Sequence, residues 1–294
     1  MAMVSGPKTP YKTIKDASAG CFWSPRVLSS LWQDTAGTIP AVVDSEIKRM
    51  DDLSGNGVHM LAPSGSKTKN SYTYTFKGPT LRKSGRQYYL EFDGNGAGLL
   101  ALNANGDWSE LTATNSFGIT MSVAFWTDST QPSLPSSGFS GTWLGSDSLG
   151  NFGDVWWFGL RLNQEVMFYC TARNAENTAW VTQFNDGNKY STVNGSSFYE
   201  RPVIYTAVGT IDNATFGGSD WIDQKAGQSF SNVAFNATTE LPQPYRNTFA
   251  IGARAPSNDN WIAGRFYGGC IISKEINENE RKEIEEFLYV NSFN

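Results

Sequence analysis

The sequence contains one histidine, His59, and three cysteines, Cys21, Cys170 and Cys270. A multi-histidine zinc site is therefore excluded by counting alone. No two cysteines stand at the CxxC spacing of zinc or redox chemistry, so they read as reduced, buried thiols. No stretch approaches the roughly 20 apolar residues needed to cross a bilayer. The opening MAMVSGPKTPYKTIKDASAG has no apolar core of the kind a secretory signal carries. The expectation is a chain made in the cytoplasm that does not engage a membrane. Charged residues make up only 17% of the chain, the formal net charge is -5, and lysines and arginines form no cluster. Neutralising nucleic-acid phosphates needs such a cluster, so a nucleic-acid partner is not expected. P-loop and G-x-S-x-G motifs are absent too, and GNGAG (Gly94 to Gly98) opens no amphipathic helix, which leaves it a turn. There is no internal repeat, coiled-coil heptad or collagen-like run.

What the chain does have is aromatic and glycine content: Gly 29, Trp 10, Tyr 12 and Phe 18 in 294 residues, with 39% hydrophobic residues overall. That composition favours strands joined by tight turns and suffices for the core of one all-β domain. Short apolar or alternating runs bounded by Gly and Ser predict strands at Tyr72 to Phe76 and Tyr88 to Phe92. In Gly118 to Thr127, Ile119, Met121, Val123 and Phe125 share one face, which predicts a core strand. Residues 1–20 are polar and carry few large apolar side chains; they read as an extended arm able to order against a neighbouring subunit, against the alternative of a floppy terminus. Residues 21–294 form the domain, including a C-terminal helix over 277–291. Asn277 and Glu280 fit a capping box there, and Ile284, Phe287 and Leu288 form the apolar stripe.

Three segments carry a resemblance. LWQDTAGTIP (Leu31 to Pro40), DLSGNGVH (Asp52 to His59) and YLEFDG (Tyr89 to Gly94) occur in this order. The chain resembles laminin-G-like, concanavalin A-like jelly-roll proteins of tailed phages and prophages. The resemblance runs from about Leu28 to the C-terminus and lapses at NATFGGSDWIDQKAGQSF (Asn213 to Phe230), where a short Tyr-Val-Asp-Gly turn would otherwise stand. It implies a two-sheet antiparallel jelly-roll sandwich and a virion structural protein: a capsid decoration or head-fibre protein, or a tail-associated one, presenting a lectin-like domain. Its partners would be other virion proteins, reached through the arm, and further copies of itself. The alternative is a tail-fibre adhesin that recognises host surface glycans. His59, by its position, would pack under the first hairpin.

Concanavalin A-like glucanases use a Glu-x-Asp-x-x-Glu triplet on one strand, because retaining hydrolysis needs two carboxyl groups about 5 Å apart. No predicted strand here carries that triplet. Asp51 with Asp52, and Asp107 with Glu110, fall in loop-like sequence, and Glu278, Glu280, Glu283, Glu285 and Glu286 read as a solvated helix face. The expectation is that the chain is not an enzyme. For a metal, GSDSLGNFGD offers Asp147, Asn151 and Asp154 as oxygen ligands for calcium, against the alternative of a metal-free Asx-rich turn. For a glycan, Trp108, Trp180, Trp221 and Trp261 each sit beside Asp or Asn or in polar, loop-like sequence. A ring so placed can stack on a sugar, though packing is the commoner use of a tryptophan.

Overall fold

The strand Gly118–Thr127 is buried on both faces over residues 122–125. Val123 and Phe125 point one way, while Ala124 points the other, into a cluster with the helix residues Ile284, Phe287 and Leu288. The sequence pattern anticipates only the first of these faces. The computed structural model describes residues 20–62, 65, 67–69, 72–103, 111–113, 118–127, 139–148, 155–161, 166–173, 180–185, 192–193, 196–197, 202–210, 217–222, 225–226, 245–252, 261–272 and 276–293. Two antiparallel sheets form a sandwich, and one helix covers the outside of the first, as the all-β jelly-roll expectation requires. The proposed arm lies almost entirely outside the described residues.

The first sheet runs in the order Lys225–Ala226, Gly217–Ile222, Val203–Thr210, Gly118–Thr127, Ala263–Ile272, Gln87–Asp93 and Thr80–Ser84. Gly20–Trp23 pairs with residues 269–272 of the Ala263–Ile272 strand, on the far side from Gly118–Thr127. Gln87–Asp93 pairs with residues 263–266 of the same strand. The second sheet runs Trp180–Asn185, Val166–Arg173, Val155–Arg161, Phe139–Ser148, Tyr245–Ile251, Leu99–Leu102, His59–Leu61, Arg49–Met50 and Leu31–Trp32, with Leu111–Ala113 also on Tyr245–Ile251.

The first sheet is irregular at one point. The register between Gly118–Thr127 and Ala263–Ile272 shifts so that Phe125 faces Phe266 and Ala124 faces Gly268, leaving Tyr267 as the extra residue of a bulge. Gly268 beside it has φ +153, and a Cβ there would come within 3.1 Å of the Trp23 carbonyl oxygen, so the bulge needs glycine. Strand register also separates the thiols. Cys21 lies opposite Ile271 and Phe22 opposite Cys270, which puts the two sulfurs on opposite faces of the sheet, both buried and free. Burial pushes the Cys270 thiol up to about 12 and raises that of Cys21 well above its usual range. The side chain of Cys170 lies outside the described residues.

The helix spans Glu278–Phe293. Asn277 Oδ1 accepts the backbone N–H groups of Asn279 and Glu280 at 3.0 Å each, and Glu280 reaches back to the Asn277 N–H at 2.9 Å, which is the anticipated capping box. One helix carboxylate departs from expectation. Glu285 is fully buried, and Arg281 holds both its oxygens at 3.1 and 3.2 Å. Its neighbours Glu283 and Glu286 are exposed as expected.

Candidate functional site

The segment Leu31 to Pro40 is tied into a fixed loop by Asp34, which accepts the N–H groups of Thr38 at 2.9 Å and Ile39 at 3.0 Å and the Thr38 hydroxyl. Those bonds, the hydroxyl foremost, hold the Asp34 carboxyl below its usual range. Gly37 has φ +74 and lies against the Arg49 guanidinium, where a Cβ would stand 3.3 Å from it. Arg49 in turn donates to the carbonyls of Thr35 and Ala36. The Gln33 N–H to the Ile39 carbonyl (2.9 Å) and the Ala41 N–H to the Leu31 carbonyl (3.0 Å) fold the segment along the sheet edge. This rigid loop leaves Ile39, Val42 and Val43 at 52%, 60% and 42% exposure.

In Asp52 to His59, Asp52 is a buried organiser. Its Oδ1 accepts the N–H groups of Phe22 (3.0 Å) and Ser54 (2.9 Å), and its Oδ2 those of Asn56 (3.1 Å) and Val58 (3.3 Å) and the Ser54 hydroxyl (2.7 Å). Asn56 Nδ2 donates to the Gly20 carbonyl at 2.7 Å, and the Trp23 indole to that of Val58 at 3.0 Å, fastening the turn to the strand Gly20–Trp23. Asp51 is half-buried next door. It accepts from the Trp32 indole (2.8 Å) and Arg49 Nε (2.6 Å), and its Oδ1 lies 3.0 Å from His59 Nδ1.

Two observations on His59 pull apart. The approach to Asp51 suits an imidazolium, yet burial and the Arg49 charge lower the His59 pKa against the pull of Asp51 and Asp52. The neutral form also has a use for the same nitrogen, because Nδ1 accepts the Asp52 N–H at 3.2 Å. Neutral His59 fits both the direction of the shift and that bond, and pairing with Asp51 needs protonation. The expected place under the first hairpin becomes a half-buried position on the strand His59–Leu61. The whole constellation is occupied by its own hydrogen bonds: Asp52 serves five donors, and Asp51 sits among Trp32, Arg49 and His59. It is architecture, built from the residues that carry the resemblance.

Those sequence-derived ligand residues that are described lie on different elements. Trp261 is half-buried and packs edge-on against Phe76, with ring centroids 5.1 Å apart, beside Leu61, Leu100, Leu102 and Ala250. Trp221 is on the strand Gly217–Ile222, opposite Ile204 and Ala226, and Trp180 begins the strand Trp180–Asn185, opposite Arg173. Strand pairing thus replaces the loop settings expected for both. Asp147 likewise lies in the strand Phe139–Ser148, between Val155 and Thr248, so the expected calcium loop is strand up to Ser148. Trp108, Asn151 and Asp154 are outside the described residues, as are Asp107 and Glu110. Among the described residues no group of three His, Cys, Asp or Glu side chains is placed to hold a metal.

A site that sequence reasoning missed lies on the helix-bearing face of the first sheet. The Arg265 guanidinium stands 4.3 Å from the Trp126 ring centroid and 4.9 Å from that of Tyr89. Tyr267, the bulge residue, is buried on the same side, and burial raises its phenol pKa against the lowering effect of Arg265. Trp126 and Arg265 lie opposite each other across a strand pair. No spacing rule in the sequence links residues 89, 126, 265 and 267; the sheet register joins them.

The sequence matches no protein-family model and no curated protein. Its structure is similar to solved structures. One is a mutant GH54 α-L-arabinofuranosidase soaked with 4-nitrophenyl α-L-arabinofuranoside (TM-score 0.55, 12% identity, covering 97% of this chain and 66% of that one). Another is a GH54 α-L-arabinofuranosidase soaked with a cyclic sulfate inhibitor (TM-score 0.51, 14% identity, 85% and 52%). The binding domain of botulinum neurotoxin serotype G is more distant (TM-score 0.44, 12% identity, 92% and 50%). The chain spans from half to two thirds of the length of these proteins, and at such identities the likeness is one of fold. It corrects the expectation that the chain is not an enzyme. That expectation rests on one missing strand triplet, and the arabinofuranosidases that share the architecture are glycosidases. The chain has a β-sandwich similar in fold to those arabinofuranosidases.

Proposed function

We propose that this chain is a structural protein of a tailed-phage particle, in the capsid decoration, head-fibre or tail-associated class, that presents a glycan-facing β-sandwich. The observation that carries the particle half is the loop Leu31 to Pro40 and its continuation to Val43. Ile39 and Val42 are exposed yet held through their backbone carbonyls, which accept from the Gln33 and Ser45 N–H groups, and Val43 stands exposed beside them. A rigid apolar projection loses little conformational freedom on docking and suits a permanent contact with a neighbouring protein. The polar residues 1–20, leading into the strand Gly20–Trp23, would add a second contact with virion proteins or further copies of the chain. The glycan half is supported by the sandwich it shares with arabinofuranosidases. In this reading the protein is synthesised in the host cytoplasm and resides in the virion.

The test is the protein content of purified particles produced with the gene intact and with it deleted. The chain should be present in stoichiometric amount in the first, and antibody against it should decorate the particle surface. Particles of unchanged composition in both preparations would overturn the proposal.

A further inference from the structure

Arginine is long and flexible, and an exposed guanidinium normally samples many rotamers. Arg265 is instead confined: its Cζ stands over the Trp126 and Tyr89 rings, 4.3 and 4.9 Å from their centroids. Its cross-strand neighbour Glu91 is turned to Arg82, at 2.7 Å, and Arg82 also holds Asp44. Among the described residues no carboxylate is paired with Arg265. Arg265 and Trp126 both keep part of their surface in solvent. Register and alternation put this group on one face: Trp126 and Glu91 lie opposite Arg265, Tyr267 is two residues on from Arg265, and Tyr89 is two residues before Glu91.

A guanidinium has five N–H donors in a planar fork matched to a carboxylate. Stacking on aromatic rings fixes the plane and leaves the fork edge available. Arg82 faces two carboxylates, Glu91 and Asp44, so these neighbours carry one negative charge in excess and Arg265 brings the local sum to zero, with no surplus of positive charge around it. That balance favours a monoanion over a phosphate. The indole beside it offers an apolar wall for the C–H face of a pyranose ring.

We propose that Arg265, held by Trp126 and Tyr89, is a receptor for the carboxylate of a hexuronate within a surface polysaccharide. The proposal deepens the glycan half of the reading above and rests on it. Binding is measured by titration calorimetry with oligogalacturonate, its methyl ester and inorganic phosphate as probes, on the full chain and on Arg265→Gln and Arg265→Lys. Oligogalacturonate should bind the full chain at least ten times more tightly than the ester, and phosphate at equal concentration should not displace it. Arg265→Gln should abolish that preference, and Arg265→Lys, which keeps charge and stem but lacks the fork, should lose most of it. Thermal melts identify the variants that remain folded, and the lysine variant serves where the glutamine variant does not fold. Equal affinity for acid and ester, displacement by phosphate, or unchanged binding by a folded variant overturns the site. Binding of neutral glycans alone would remove this site and leave the glycan-facing reading, whereas no glycan binding at all would remove both.

Discussion

The Trp32 indole donates to Asp51 Oδ2 at 2.8 Å, joining the edge strand Leu31–Trp32 to the residue that precedes the buried Asp52. Through this bond the two halves of the opening motif become one body, since Arg49 reaches from Asp51 to the loop carbonyls of Thr35 and Ala36. The loop that exposes Ile39, Val42 and Val43 is thus braced from beneath by the turn that also pins Gly20–Trp23.

Asp52→Asn should destabilise the protein by about 2–4 kcal/mol, because either orientation of the amide turns its NH2 toward two backbone donors. With Nδ2 at the Oδ1 position those donors are Phe22 and Ser54, and at the Oδ2 position they are Asn56 and Val58. Urea unfolding followed by tryptophan fluorescence measures the loss, and a midpoint equal to that of the parent would mean the turn is held by something else.

The His59 shift gives a pH dependence with a definite sign. Its folded pKa lies below its ordinary value of 6.5, so the unfolded chain takes up a proton first as pH falls. Stability from this group is fully present above pH 6.5 and declines from there until the lower folded value is passed. His59→Gln should flatten that part of the stability-against-pH curve between about pH 7.5 and 5, measured by urea titration at a series of pH values. Identical slopes in parent and variant would refute the assignment of neutral His59.

Much of the fold is legible in the sequence because it depends on local pattern. Asn277 and Glu280 announce the helix start, and Val123 and Phe125 announce a core strand. The site is not legible in the same way. Trp221 and Trp180 stand in polar sequence that reads as loop, yet both take part in strand pairing. Trp261 has polar neighbours in sequence and an aromatic one, Phe76, in space. Arg265 becomes notable only through the pairing of strands distant in sequence, which sets Trp126 and Glu91 opposite it. Glu285 reads as solvated because its neighbours are charged, although Arg281 four residues earlier is a signal that it can be paired within the fold.

Ile39→Glu combined with Val42→Glu tests the apolar loop. Both side chains are more than half exposed, so the change in stability should stay within about 0.5 kcal/mol. Incorporation into particles should fall at least tenfold, read by quantitative mass spectrometry of purified virions. Normal incorporation of the folded double variant would show that this loop makes no particle contact.

The buried Arg281–Glu285 pair calls for a double-mutant cycle. The Glu285 side chain is 1% exposed and that of Arg281 13%, so a guanidinium removed by Arg281→Met leaves a desolvated carboxylate without its bidentate partner. Breaking such a pair from one side costs about 3–5 kcal/mol, whereas replacing both partners with apolar residues removes the desolvation penalty together with the attraction. Arg281→Met alone should therefore lower stability by about 3 kcal/mol, and Arg281→Met with Glu285→Leu should recover at least half of that. The helix lies on the strands that carry Ala124, Ile204 and Tyr267, so loss of the pair should also loosen the face on which Arg265 is held. Additive losses in the cycle would mean that the two side chains stabilise the helix independently.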